Sequence, residues 1–193
     1  MLKFGKKLTY RPLLISLFWA TLIGGLFGLN ISRILGLRIA FIIFLLIFIG
    51  HYFTILPIIF SYWDSTDQFI RYSDKSNYFK RLIIMIFPHT EKLKIIAKKD
   101  VKTIQITGLP IKKLISSTLL LSSERGLLYN LMSMLRNPVK LKLILNNGTI
   151  ITLNLSRDFA RHPTQTAGRL RIFLRDFHEN QIDLTPATRH LIY

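Results

Sequence analysis

From Leu13 to Tyr62 the chain is apolar almost without a break. No acidic residue falls in this stretch, and Arg33 and Arg38 are its only basic ones. Leu13 to about Ile31 supplies about 28 Å of helix at 1.5 Å per residue, enough for a hydrocarbon core of about 30 Å. A second run from about Ile39 to Tyr62 is longer and must tilt or protrude. The pattern predicts a transmembrane hairpin with spans at about 13–31 and 39–62, joined by a loop over Ser32–Ile39. Pro57 is expected to kink the second span by freeing the carbonyl of Phe53. Tyr62 and Trp63 suit the headgroup boundary, where amphipathic rings settle. Within the first span, Ser16, Ala20, Gly24 and Gly28 recur every four residues and form one stripe of small side chains. Gly36 and Ala40 repeat that spacing at the start of the second. Such a stripe lets another backbone approach closely, either the hairpin's own second helix or a second copy of the chain.

The pattern then changes. Residues 63–81 read as a polar, charge-mixed connector. Leu82–Phe87 is an apolar run of strand length, Leu93–Ala97 carries alternation, and Val101–Thr107 is rich in β-branched residues. Lys113–Leu121 offers a further strand, and Gly126–Leu135 a helix before Asn137-Pro138. In Val139–Leu155, apolar residues alternate around Asn146-Asn147-Gly148, a turn chemistry that predicts a β-hairpin. Near the C-terminus, Leu170, Phe173, Leu174 and Phe177 fall at i, i+3, i+4 and i+7, which predicts an amphipathic helix over about 163–179 with Pro163 in its first turn. The expected fold is an α+β membrane protein. A basic arm and hairpin (1–62) lead through the connector (63–81) to a small antiparallel β barrel or sandwich (82–193), pleckstrin-homology-like in its element order, with a C-terminal amphipathic helix.

Charge sets the expected orientation and partners. The formal net charge is +17, from 27 basic and 10 acidic residues. Residues 1–63 hold six basic residues and no acids, and all ten acids follow. Basic residues on both flanks of the hairpin predict a multi-pass cell-membrane protein with both termini cytoplasmic. Lys140, Lys142, Arg157, Arg161, Arg169, Arg171 and Arg175 are the candidate contacts to anionic lipid headgroups or to an acidic protein partner. Specific nucleic-acid binding is not expected, since the aromatics fall in apolar stripes rather than among the basic residues.

Little in the chain points to catalysis. It has no cysteine, which excludes disulfides, thiol nucleophiles and thiolate metal sites. Walker, dinucleotide-binding, nucleophile-elbow and zinc-protease motifs are missing. His51, His89, His162, His178 and His190 show no ligand spacing. Asp64 and Asp67 stand three apart, close enough to share a helix face, yet no histidine or glutamate ligand stands nearby. His51 is the one ionisable residue deep in a span and a candidate by that fact alone. At the depth of Ser16 and Trp19, it is expected to be neutral and hydrogen-bonded to Ser16 or a backbone carbonyl. No enzyme activity and no cofactor are expected.

Several short stretches resemble the EbsA family. They are the two spans, Tyr72-Ser73-Asp74-Lys75-Ser76-Asn77, Phe87-Pro88-His89-Thr90-Glu91-Lys92, Asp100-Val101-Lys102, Ile106-Thr107-Gly108-Leu109-Pro110, Leu145-Asn146-Asn147-Gly148 and Asn154-Leu155-Ser156-Arg157-Asp158. The resemblance covers most of the chain and brings no active-site residues. It implies a cell-membrane protein of a Gram-positive bacterium, in a family named for surface display of the enterococcal binding substance and labelled pore-forming. Joined to the residue-level reading, it points to a non-enzymatic membrane protein that presents a basic β-rich domain at the inner membrane surface, as a scaffold or regulator in cell-envelope processes. The alternative is an oligomeric pore-forming or transport-associated protein.

Overall fold

The computed structural model describes residues 1–109 and 137–193. The expected strand at Lys113–Leu121 and helix at Gly126–Leu135 lie outside the described residues. The remainder forms an α+β protein of two compact units, one drawn from residues 1–6, 58–73 and 93–193, the other from 7–57 and 74–92.

The second unit is helical. Helix α1 (Arg11–Asn30) begins with Pro12 in its first turn, where a missing amide costs nothing. Helix α2 (Arg33–Ile59) follows after only Ile31 and Ser32. The expected eight-residue loop is therefore shorter: Ser32 is extended and its carbonyl accepts from Gly36 N at 2.9 Å, so the helix starts at Arg33 and carries both loop arginines. Both helices are long and apolar enough to cross a membrane. Within α2, Leu46–Phe53 adopts π-helical geometry just ahead of Pro57. Phe53, whose carbonyl the proline ring would crowd, ends that wider turn.

A third helix, α3 (Tyr78–Ile86), completes this unit. It overturns two expectations, that residues 63–81 are a connector and that Leu82–Phe87 is a strand. The Asn77 side chain caps α3 by accepting from Phe79 N at 3.0 Å, satisfying an amide the helix leaves open. The apolar run then splits by helical period. Ile84 and Met85 are buried, while Ile83 and Phe87 are exposed.

Among the described residues the first unit contains eight strands. Strands β1 (Leu2–Gly5), β2 (Tyr62–Ser65), β3 (Phe69–Ser73) and β4 (Leu93–Ala97) form one antiparallel sheet in sequence order. The expected basic arm thus contains a strand, paired Leu2↔Ser65 through Gly5↔Tyr62 across the hairpin. In the second sheet, β5 (Val101–Thr107), β6 (Lys140–Leu145), β7 (Ile150–Asn154) and β8 (Ile182–Asp183) run in the order β7-β6-β5-β8. Its β5–β8 pair is parallel, so this sheet is mixed. The expected hairpin is present as β6–β7, with Gly148 at φ +80° in its turn, a conformation glycine adopts without a Cβ clash. Among the described residues each sheet ends on open edges, so the architecture is two four-stranded sheets rather than a closed barrel.

Short α4 (Ser156–Arg161) leads into α5 (Pro163–Leu174), and α6 (Pro186–Ile192) ends the chain. Helix α5 is shorter than the expected 163–179. Past Leu174 the amides of Asp176 and Phe177 bond three residues back. Gln181 then donates to Val101 O at 2.7 Å and draws the chain along β5. Phe177 nonetheless keeps its place in the core. That core joins Phe4, Trp63 and Ile70 of the first sheet, Ile104, Leu141, Leu143 and Leu153 of the second, and Leu170, Phe173 and Leu174 of α5.

Candidate functional site

The small-residue stripe forms the line of contact between α1 and α2. Ser16, Ala20 and Gly24 are buried on α1, and Gly36 is buried on α2. A Cβ on Gly36 would lie 2.5 Å from Gly28 Cα and 2.6 Å from Gly24 O, and one on Gly24 would lie 2.5 Å from Ala40 Cβ. The backbones thus approach where two glycines face each other, as small-residue packing in apolar surroundings requires. This places Gly24, Gly28, Gly36 and Ala40 in one intrachain seam.

His51 does not meet Ser16. The Ser16 hydroxyl donates to Pro12 O at 2.7 Å within its own helix. The imidazole instead lies on the exposed surface of α2, edge-on to Tyr52 with ring centroids 5.1 Å apart. The expected pairing with Ser16 is absent, and residue 51 lies in the π-helical stretch Leu46–Phe53, whose wider turn departs from regular α-helical spacing.

Asp64 and Asp67 also part company. Asp67 is exposed in the β2–β3 turn, whereas Asp64 sits on β2 with 1 % of its surface accessible. Arg71 on β3, its register partner, donates Nε to Asp64 Oδ1 at 2.7 Å, and the Tyr62 hydroxyl donates to Oδ2 at 2.9 Å. Burial and the hydrogen bond to Asp64 push the Tyr62 phenol up to about 12, and the same carboxylate raises Arg71 above its usual range. Both carboxylate oxygens are engaged, so this is a structural pin in the sheet. Among the described residues no cluster of histidine and acidic side chains is suited to a metal ion.

The seven candidate cations divide into two sets. Arg157 donates to Ile59 O at 3.4 Å, and burial, with Arg161 nearby, lowers its pKa. Arg169 reaches Lys3 O at 3.0 Å and lies over the Phe4 ring at 5.7 Å. Arg171 clasps Ile192 O and Tyr193 O at 2.6 and 2.7 Å. These three hold the domain together. Lys140 and Lys142 sit one pleat apart on β6, opposite Asn154 and Thr152, while Arg161 and Arg175 are exposed. These four are the cations available for an external anion.

A group that sequence reasoning did not single out fastens residues 74–92 to the hairpin. Lys75 Nζ and Glu91 Oε1 pair at 3.1 Å with side chains 4 % and 7 % accessible. Burial lowers the Lys75 ammonium from its usual range, and Glu91 opposes that shift. Arg81 donates to Lys75 O at 2.8 Å and lies over the rings of Phe53 and Tyr78, which are 4.9 Å apart. At the other end the Tyr10 hydroxyl meets His89 Nδ1 at 2.8 Å. One signal was available in the sequence, Phe79, Ile83 and Phe87 at helical spacing.

Comparison with known proteins finds no matching family model, no matching curated protein and no matching solved structure. The EbsA resemblance accordingly rests on the short motifs quoted above.

Proposed function

We propose that this chain is a non-enzymatic integral membrane protein whose hairpin crosses the bilayer and whose basic β-rich unit is held at the cytoplasmic surface, as a scaffold or regulator in cell-envelope processes. The observation that carries the reading is the pairing of β1 with β2. These strands flank the hairpin in the chain and hydrogen-bond along their whole length, which supports a hairpin with both ends on one side of a membrane. Two further facts support it. Only 22 % of the apolar window of each helix is buried, with Leu14, Phe18, Leu22, Leu26, Leu37 and Phe41 exposed, whereas a core helix would hide such residues. The basic flanks support the cytoplasm as that side. A pleckstrin-homology-like fold and EbsA membership belong to the same proposal and rest on element order and motifs.

The four available cations suit anionic headgroups, each contributing about 1 kcal/mol close to such a surface. An oligomeric pore built through the Ser16–Gly28 stripe would compete with the intrachain seam for the same small residues.

The absence of native cysteine makes the test direct. Ser32→Cys and Thr149→Cys are made separately in the full-length protein and treated in intact cells with a membrane-impermeant maleimide. The proposal expects labelling at position 32 in intact cells and at 149 only after permeabilisation. Labelling of both in intact cells, or extraction of the protein by alkaline carbonate, overturns it.

A further inference from the structure

Helix α3 carries an apolar stripe that its own unit does not cover. Phe79, Ile83 and Phe87 recur every four residues and are 79 %, 53 % and 51 % exposed. The opposite side of α3, with Ile84 and Met85, is buried. A soluble surface seldom leaves three large apolar side chains in line, and aqueous exposure of this set would oppose folding.

The depth of the stripe follows from contacts within the helical unit. Tyr78 packs on Phe53, less than two turns from the end of α2, and His89 bonds Tyr10, the residue before α1. Both ends of residues 74–92 are therefore tied to the open end of the hairpin, the level at which α1 and α2 would leave the hydrocarbon. Cations accompany the stripe at that level. Arg11 opens α1, Lys80 lies on α3, and Lys92 closes the segment. An apolar helix face with basic neighbours is the composition of a helix lying in a membrane interface, sunk about 5–10 Å into the boundary between headgroups and acyl chains.

We infer that α3 is an interfacial helix whose Phe79–Ile83–Phe87 stripe contacts lipid, making the protein's membrane contact a two-span hairpin plus an in-plane helix. This inference rests on the membrane reading above. It commits to lipid as the occupant because the stripe belongs to the same compact unit as the exposed apolar residues of α1 and α2 and is tied to their ends. Its physical role would be to fix the rotation and depth of the hairpin, since an in-plane helix resists both tilting and sliding.

The test uses full-length protein reconstituted in liposomes of mixed neutral and anionic lipids. A fluorophore is attached to one of three single cysteines, Ile83→Cys on the stripe, Leu22→Cys within the span, or Thr149→Cys in the β6–β7 turn. Each is quenched in turn by brominated acyl chains and by aqueous iodide. The inference expects the label at 83 to follow the label at 22, quenched by bromolipid and shielded from iodide, while that at 149 shows the reverse. If 83 behaves like 149 while 22 stays lipid-quenched, the inference falls and the membrane reading stands. Shielding of 83 from both quenchers means that protein covers the stripe, which also overturns it. Iodide access at 22 removes the membrane reading and the inference together.

Discussion

Gly24 and Gly25 are adjacent on α1 and differ in what surrounds them, which allows a controlled test of the seam. A Cβ added at Gly24 would stand 2.5 Å from Ala40 Cβ, 2.8 Å from Gly36 O and 3.0 Å from Ala40 Cα, while one at Gly25 meets nothing within 4 Å. Because carbon atoms pack best at about 3.5–4.0 Å, Gly24→Ala must push α1 and α2 apart by about 1 Å. A gap of that size forfeits a quarter to a half of each pair's attraction, and over some tens of atom pairs this comes to about 1–2 kcal/mol. That agrees with the range of about 1–3 kcal/mol for overpacked sites. Alanine also gains up to about 1 kcal/mol over glycine in helix propensity, but Gly25→Ala gains the same, so the difference isolates the seam. Unfolding of each variant by increasing dodecyl sulfate in mixed micelles, followed by helical circular dichroism, is expected to show Gly24→Ala losing structure first. Equal midpoints for the two variants would refute close packing between the helices.

Other outcomes follow from the same geometry. Asp64→Asn weakens charge-assisted bonds to Arg71 and Tyr62 and is expected to cost about 3 kcal/mol in denaturant unfolding, whereas exposed Asp67→Asn stays within about 0.5 kcal/mol; similar losses at both would contradict the buried pin. The Tyr62 phenol, raised from 10.0 to about 12 in the fold, adds stability that is complete below pH 10 and lost as pH climbs towards 12, because the unfolded chain gives up its proton first. Tyr62→Phe should therefore flatten the fall in melting temperature across that interval, and an unchanged slope would count against the assignment. In nanodiscs, anionic lipid is expected to slow acetylation of Lys140 and Lys142 relative to neutral lipid, as read by mass spectrometry; identical rates would remove these lysines from the lipid contact.

The hairpin and the β6–β7 turn were legible because each is encoded locally. Long apolar helices are written in length and apolarity, and Asn146-Asn147-Gly148 states its own backbone geometry. The small-residue stripe was legible for the same reason, since a period of four needs no knowledge of the partner. The barrel expectation and the connector failed for a shared reason. Strands β1 and β2 are four residues each, too short to show alternation, and they pair only because the hairpin returns the chain to its starting point. Leu82–Phe87 has a strand's composition but a helix's cap, and Asn77 outweighed the β-branched run. Among the cations, Arg157, Arg169 and Arg171 looked identical to Arg161 and Arg175 because the carbonyls they bind are remote in sequence.

The β1–β2 pairing has an engineering consequence. To the first sheet, residues 6–61 are the loop of an ordinary β-hairpin, and the helices are an insertion between Gly5 and Tyr62, the last register pair. Gly5 adopts φ +73°, and its amide donates to Asp158 Oδ2 at 2.6 Å, so this end of β1 is anchored apart from the hairpin. Replacing 6–61 by a turn of a few residues would join β1 directly to β2. Since closure cost grows as the logarithm of loop length, the graft would lower it by about 2 kcal/mol. By this logic the β-rich unit is a pair of sheets into which a helical hairpin has been spliced. Excising it together with residues 74–92, which carry the α3 stripe and lie between the register partners Ser73 and Leu93, would keep all eight described strands, something truncation after the hairpin cannot yield because it discards β1.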